Sequence, residues 1–259
     1  MAASLLHCGR LAMAALALLL AWLPAHAQKV PAGATHLIRS YPDFITGYNN
    51  GYLIFRDGSK MLYDDGRKKS FVQKLDDADP EDMFAFTYDM STWDAPAFQQ
   101  DAGRSRCEAL FKKMYGGSAA AVTKNLVTVN WFGQKVQFTR INGAADSLKA
   151  VAADLAKEPS LKPYLKSSGS FYWRQVRGAK RMSAHSYGMT IDVGVSRSDY
   201  WQWKNPGKGE NDKIVYCNRM PQKLVKIFER HGFIWGGRWY HYDTMHFEFR
   251  PEILKSAKR

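Results

Sequence analysis

The rhythm of apolar and polar positions changes several times along the chain, and each rhythm predicts an element. Between residues 48 and 72, short apolar runs (Leu53-Ile54-Phe55, Met61-Leu62-Tyr63) alternate with Asn49-Asn50-Gly51, Asp57-Gly58 and Asp64-Asp65-Gly66. Asn-Gly and Asp-Gly supply the left-handed backbone of tight turns, so this stretch predicts β-hairpins. Residues 75 to 82 (Leu-Asp-Asp-Ala-Asp-Pro-Glu-Asp) are acidic and polar and predict a solvated loop. Cys107 to Tyr115 predicts a short helix stopped by Gly116-Gly117, and Val127 to Thr139 predicts two strands around Gly133.

Helical spacing returns at Ala144 to Lys157, where Leu148, Val151, Ala152 and Leu155 share one face. Pro221 to His231 is the clearest helix, with Pro at its start, Leu224, Val225, Ile227 and Phe228 inside and Gly232 just beyond. Phe233 to Trp235 and His246 to Phe249 then read as strands. Strands and helices mix without a βαβ rhythm, which predicts an α+β fold built on a small antiparallel sheet with flanking helices. Residues 28–120 form a β-hairpin-rich N-terminal extension that either stands apart from residues 121–259 or continues into them.

The first 27 residues follow a different logic. They carry one basic residue (Arg10), no acidic one, an apolar run from Leu11 to Leu23 and an Ala25-His26-Ala27 exit. This is the composition of a secretory signal peptide cleaved after Ala27, the run being too short for a spanning helix of about 20 residues. The expected location is therefore outside the inner membrane, in the periplasm or the extracellular space, with no stable membrane anchor after cleavage. Of 259 residues with a net charge of +13, the mature part keeps 36 basic against 24 acidic residues, or +12, once Arg10 is removed. Such a charge suits an anionic partner: nucleic acid, a membrane surface or an acidic polymer. Export also leaves Cys107 and Cys217 as an even pair in an oxidising compartment. A bridge between them is the expected state, closing about 110 residues and worth roughly 4–5 kcal/mol in the chain-entropy model.

The chemistry concentrates in two segments. The mature chain has five histidines, and two lie in unusual company: Ser183-Ala184-His185-Ser186-Tyr187-Gly188-Met189-Thr190-Ile191-Asp192, and Asp243-Thr244-Met245-His246-Phe247-Glu248. Two His and one Asp make an open zinc site, with a fourth position left for water and each donor about 2.0–2.2 Å from the ion. A straight strand would separate His185 from Asp192 by about 23 Å, and a helix by about 10 Å. The chain must therefore curl between them, and Gly188 is the residue that permits it. Alternation puts His246 and Glu248 on one face of their strand, whereas Asp243 must sit on a turn to face the same ion.

These residues resemble the VanY-like zinc D-alanyl-D-alanine carboxypeptidases and L-alanyl-D-glutamate endopeptidases, which share the Hedgehog/DD-peptidase fold. Ser183, His185, Gly188 and Asp192 match the family's S-x-H-x-x-G-x-A-x-D; Asp243, His246, Phe247 and Glu248 match its distal acidic-x-x-His-Phe-Glu. The resemblance covers residues 165 to 250 and includes the Gly169–Arg174 segment. Thr190 replaces the usual Ala, and Asp243 stands where many carboxypeptidases have Glu, which leans towards the endopeptidase branch.

The resemblance implies that residues 121–259 are a zinc peptidase domain, with Zn²⁺ held by His185, Asp192 and His246. Asp243 would be the general base, with Glu248 as its rival on the face of His246. Arg174 would stabilise an oxyanion or clamp a substrate carboxylate. Ser183 and Tyr187 would bind substrate or support the ligands, and either could equally be structural. The substrate would be peptidoglycan stem peptides (muropeptides), cut either as a carboxypeptidase or as an endopeptidase.

Tyr200-Trp201-Gln202-Trp203, with the Lys204–Lys213 loop behind it, is the expected cleft wall. His241 reads as a flanking or substrate-side residue, and His231 as a partner of helix-end carbonyls. The sequence admits two other readings. One is a catalytically weak peptidoglycan-binding protein; the other is a secreted nuclease, disfavoured because no nuclease motif or long basic run is present. No nucleic-acid partner is therefore expected, and the sequence leaves oligomeric state open.

Overall fold

A computed structural model describes residues 29–259; the expected export segment lies outside the described residues. The chain enters through α1 (Ala32–Ser40), which buries Gly33, Ala34, Leu37 and Ser40. Its buried face is made mostly of small residues, so the sequence carries little apolar signal for it. The expected hairpins follow as an antiparallel sheet of β1 (Ile45–Asn49), β2 (Tyr52–Phe55) and β3 (Lys60–Leu62). The β1–β2 turn is Asn50-Gly51, both at positive φ (46° and 86°), as a two-residue hairpin turn of this hand requires.

The acidic stretch departs from expectation. Its first residues close a helix, α2 (Phe71–Asp76), started by a reciprocal capping box between Ser70 and Gln73. The remainder folds around Lys69, whose ammonium group meets Asp65 at 3.0 Å, Asp79 at 3.0 Å and Asp82 at 2.6 Å. Asp82 is buried. The segment is an ion-pair knot rather than a solvated loop, because a cation six to thirteen residues upstream draws the carboxylates inward.

Helix α3 (Glu108–Tyr115) stops at Gly116, with φ 125°. After the short α4 (Ala119–Thr123) comes the hairpin of β4 (Leu126–Trp131) and β5 (Gln134–Thr139), turning at Phe132-Gly133. Helix α5 (Ala144–Leu155) then buries Leu148, Val151 and Leu155.

The site-bearing sheet is assembled from distant pieces. These are β6 (Ser167–Gly169), β7 (Thr190–Val193), β8 (Phe233–Trp235) and β9 (His246–Phe249), in the order β6-β7-β9-β8 and antiparallel throughout. Helix α6 (Trp201–Lys204) and helix α7 (Gln222–Arg230) lie between β7 and β8, and α8 (Pro251–Lys255) follows β9. Helix α7 buries Leu224, Val225, Ile227 and Phe228. Phe228 stacks on Phe247 of β9 with centroids 3.9 Å apart. Fully burying each such ring is worth about 1.5–3 kcal/mol, so the register of β9 is fixed by its core face. The class is α+β.

One apolar cluster joins Leu37, Phe55 and Leu110 to Phe138, Val225 and Phe247, so the core is continuous across residue 120. The expected disulfide is absent: Cys107 and Cys217 are free thiols. Cys107 is enclosed in the core cluster, where burial pushes its thiol up to about 11, whereas Cys217 is only partly buried. His231 also differs from expectation. It ends α7, but its Nε2 faces Asp154 of α5 at 2.9 Å instead of the helix-end carbonyls.

Candidate active site

The site begins with a turn. Residues Ala184–Tyr187 form one turn of 3-10 helix that ends on Gly188 at φ 64°. A Cβ at Gly188 would run into the Leu126 side chain, so both the backbone conformation and the space call for glycine. The curl carries His185 back over β7. Its Nδ1 lies 2.6 Å from the Ser170 carbonyl, which can only accept, so Nδ1 carries the proton and Nε2 is left as a lone-pair donor. That Nε2 lies 3.3 Å from Asp192 Oδ2.

Register supplies the rest. Asp192 of β7 is directly paired with His246 of β9, and Thr190 with Glu248, while Ile191 and Phe247 pair between them. Alternation therefore sends Ile191 and Phe247 into the core and Asp192 and His246 together towards the His185 turn. His246 Nδ1 is 3.1 Å from Asp192 Oδ1. One donor atom each from His185, Asp192 and His246 lies within 4.8 Å of the others. Ligands held at 2.0–2.2 Å around a tetrahedral ion are separated by about 3.4 Å. The donor set and its spacing fit a zinc-type ion with an open fourth position.

Glu248 does not compete as a base. It is fully buried: Oε1 accepts from Arg250 at 2.8 Å, and Oε2 lies 3.6 Å from Arg106 and 3.3 Å from His246 Nε2. Burial alone would raise its carboxyl, but Arg106 and Arg250 hold it down to about 2. Its geometry orients His246, as carboxylates behind metal-bound imidazoles do. On His246 itself burial acts downwards, and hydrogen bonds to Asp192 and Glu248 outweigh it, raising the ring to about 10.

Asp243 occupies the turn that β9 needs before it. Its backbone N–H donates to Gly236 at 3.0 Å, and its carbonyl accepts from His246 at 3.2 Å. Burial, with the negative Asp192 beside it, pushes its carboxyl up to about 7, and its Oδ1 has no hydrogen-bond partner among the described residues. A carboxyl near 7 that borders the ligand cluster is suited to take up and return a proton at neutral pH.

These groups line a cleft of about 620 Å³. Ser183 and Arg174 also line it, as do Tyr200, Trp201, Gln202 and Trp203, which form the expected wall. Arg174 is exposed, and among the described residues its side chain makes one hydrogen bond, from Nη1 to the Gln175 carbonyl at 3.2 Å. Its backbone is held by Ser186, whose Oγ accepts from the Arg174 N–H at 3.0 Å and donates to the Arg174 carbonyl at 2.8 Å. Tyr187 is placed elsewhere. It is 1% exposed, packs against Phe111, Tyr115 and Trp173 and does not line the cleft. The curl that turns His185 outward turns its neighbour but one inward.

Residues 177–249 match the family model described as D-alanyl-D-alanine carboxypeptidase. The matched stretch is less than a third of the chain and carries all the residues of the ligand cluster. The match agrees with the VanY-like resemblance and contains His185, Asp192, Asp243 and His246. No curated protein matches the chain. Residues outside the match also line the cleft: Arg104 and Arg106 from the N-terminal region, and Arg174 just ahead of the matched stretch. Sequence reasoning missed Arg104, Arg106 and Asp101. Their signal is the short charged run Asp101-Ala-Gly-Arg-Ser-Arg106, 79 or more residues from the first ligand.

Proposed function

We propose that this protein is an exported zinc peptidase that hydrolyses peptide bonds in peptidoglycan stem peptides. The observation that carries the reading is the in-register pair Asp192–His246, closed by His185 and bordered by a half-buried carboxyl, Asp243, inside an arginine-lined cleft. His185 Nε2, an Asp192 oxygen and His246 Nδ1 would hold the ion. Zinc in such a site supplies Lewis acidity, lowering the pKa of a water towards 7 and polarising the scissile carbonyl.

The protein's own residues do the remaining work. Asp243 accepts the proton lost by the attacking water and returns it to the leaving amine. Glu248 keeps the His246 ring turned. Arg174, which has no carboxylate partner among the described residues, meets the developing oxyanion or a substrate carboxylate. Trp203, exposed on the cleft wall, offers a broad face to an extended peptide at low entropic cost. The mature charge of +12 favours salt-sensitive association with the carboxylate-rich wall.

The test is mass spectrometry of purified muropeptides digested by the zinc-loaded protein, alongside His246→Ala. Loss of one terminal alanine identifies a carboxypeptidase, and internal cleavage an endopeptidase. Full activity in His246→Ala, or stoichiometric zinc with no product, would overturn the proposal.

A further inference from the structure

The five arginines that line the cleft divide into two kinds. Arg104, Arg106 and Arg181 have side chains only 9 to 11% exposed, and each is committed within the protein. Arg106 faces Glu248 at 3.6 Å. Arg104 donates to Asp101 at 2.7 Å and spans both oxygens of Glu210 at 2.6 and 2.9 Å. Arg181 pairs with Asp76 and lies 3.4 Å from Glu210, while Asp101 also holds the His241 ring, with Nδ1 at 2.6 Å. Arg174 and Arg177 are different: both are exposed. Among the described residues Arg174 has no carboxylate partner, and the Arg177 side chain makes neither a hydrogen bond nor an ion pair.

The backbone beneath Arg177 is fixed. Residues 174–183 double back on themselves: Ser183 N–H donates to the Arg174 carbonyl at 2.9 Å, Gln175 bridges Met182, and Val176 N–H donates to the Arg181 carbonyl at 3.0 Å. At the tip, Ala179 N–H donates to the Val176 carbonyl at 3.0 Å, with Gly178 at φ 75°. That is a four-residue turn with glycine in its third position, where a positive φ is required, and Arg177 in its second. The Gln175 side chain ties off the base through the Lys180 carbonyl at 3.0 Å. Arg174 therefore stands at the root of this hairpin, held to the His185 turn by Ser186, and Arg177 at its tip. Three residues of chain keep their Cα atoms within about 10 Å of each other.

We propose that Arg177 is a specificity-determining residue: it binds a side carboxylate of the stem peptide, so that peptides carrying that carboxylate free are preferred to those in which it is amidated. The proposal rests on the peptidase reading above, since it names the peptide as occupant. Arg174, rooted at the ligand turn, serves the reacting bond, and Arg177 reads the chain beside it. An extended peptide rises about 3.3 Å per residue, so two groups one or two residues apart on it fall within the span of the two arginines. The guanidinium fork matches both oxygens of a carboxylate. A carboxamide offers one oxygen and turns an NH₂ donor against the donors of the fork. Because the contact is made in an open cleft, added salt should weaken the preference.

The experiment measures kcat and KM of the zinc-loaded protein on muropeptides in which each side carboxylate in turn is replaced by a carboxamide. For one of these replacements the wild type should lose roughly tenfold in kcat/KM, the worth of one charge-assisted hydrogen bond, and lose it through KM. Arg177→Gln should lower kcat/KM by about the same factor on the free peptide and by less than about twofold on that amidated one, so the preference disappears. Arg177→Lys, which keeps the charge without the fork, should fall between the two. Lys180→Gln removes a neighbouring exposed charge that does not line the cleft and should leave the preference intact. Zinc stoichiometry should be unchanged in all three variants.

A wild type that cleaves every amidated form as well as the free one overturns the proposal while leaving the peptidase intact. So does an Arg177→Gln variant that loses equally on both forms, or a Lys180→Gln variant that loses as much as Arg177→Gln, since the charge would then act as a diffuse field and not as a contact. A zinc-loaded wild type that cleaves none of the peptides overturns both readings.

Discussion

Glu248→Gln tests whether the buried charges behind His246 stabilise the fold. The carboxylate is enclosed by Arg106, Arg250 and His246 and is held near 2 against an ordinary value of 4.5. A difference of roughly 2.5 units corresponds to about 3 kcal/mol of stability at neutral pH. The sign follows from the direction: the folded carboxyl titrates below the unfolded one, so the stabilisation is complete above about 4.5 and fades as pH falls towards 2. Glutamine keeps the shape and an accepting oxygen but removes the charge, leaving two guanidinium groups under-compensated. Urea unfolding of the chelator-treated protein, followed by tryptophan fluorescence at pH 7, 4 and 2.5, measures the effect. The variant should be less stable by about 3 kcal/mol at pH 7 and should approach the wild type at pH 2.5. An equal penalty at all three values, or none at pH 7, would refute the electrostatic account.

Other expectations are more direct. Asp243→Asn should lower kcat by about 10²- to 10⁴-fold while metal content, read by atomic absorption, stays stoichiometric. Asp192→Ala should abolish both metal retention and hydrolysis, because it removes the strand-paired donor between the two histidines. Gly188→Ala should cost at least about 1–2 kcal/mol, from its left-handed backbone and the approach of Leu126, visible as a lowered Tm. In the chain lacking residues 1–27, iodoacetamide at pH 8 should alkylate Cys217 promptly and Cys107 only after unfolding, since burial holds the Cys107 thiol near 11.

What could be read in the sequence was whatever is encoded locally. The α7 periodicity, the turn at Asn50-Gly51 and the strand alternation at His246 each depend on neighbours within a few residues, and the structure reproduces them. The need for a curl at Gly188 also followed from chain dimensions alone. Long-range partners were invisible. Nothing near Glu248 announces Arg106, 142 positions upstream, and nothing near His241 announces Asp101. Lys69 gave no sign that it would gather three aspartates. Which of Tyr187's two open roles holds was hidden for a related reason: a short 3-10 turn splits its residues between cleft and core, and no periodicity in sequence tells which way each one points.

Asp192 and His246 face each other across the central pair of a four-stranded sheet, over a core-side phenylalanine stack. Neither can leave the other without parting β7 from β9, and that separation dismantles the sheet. Metal exchange and unfolding should therefore share one opening event. Bound ion then stabilises the whole chain by mass action, growing with its free concentration over its Kd. The rate at which a chelator strips the protein becomes a measure of how often the sheet comes apart.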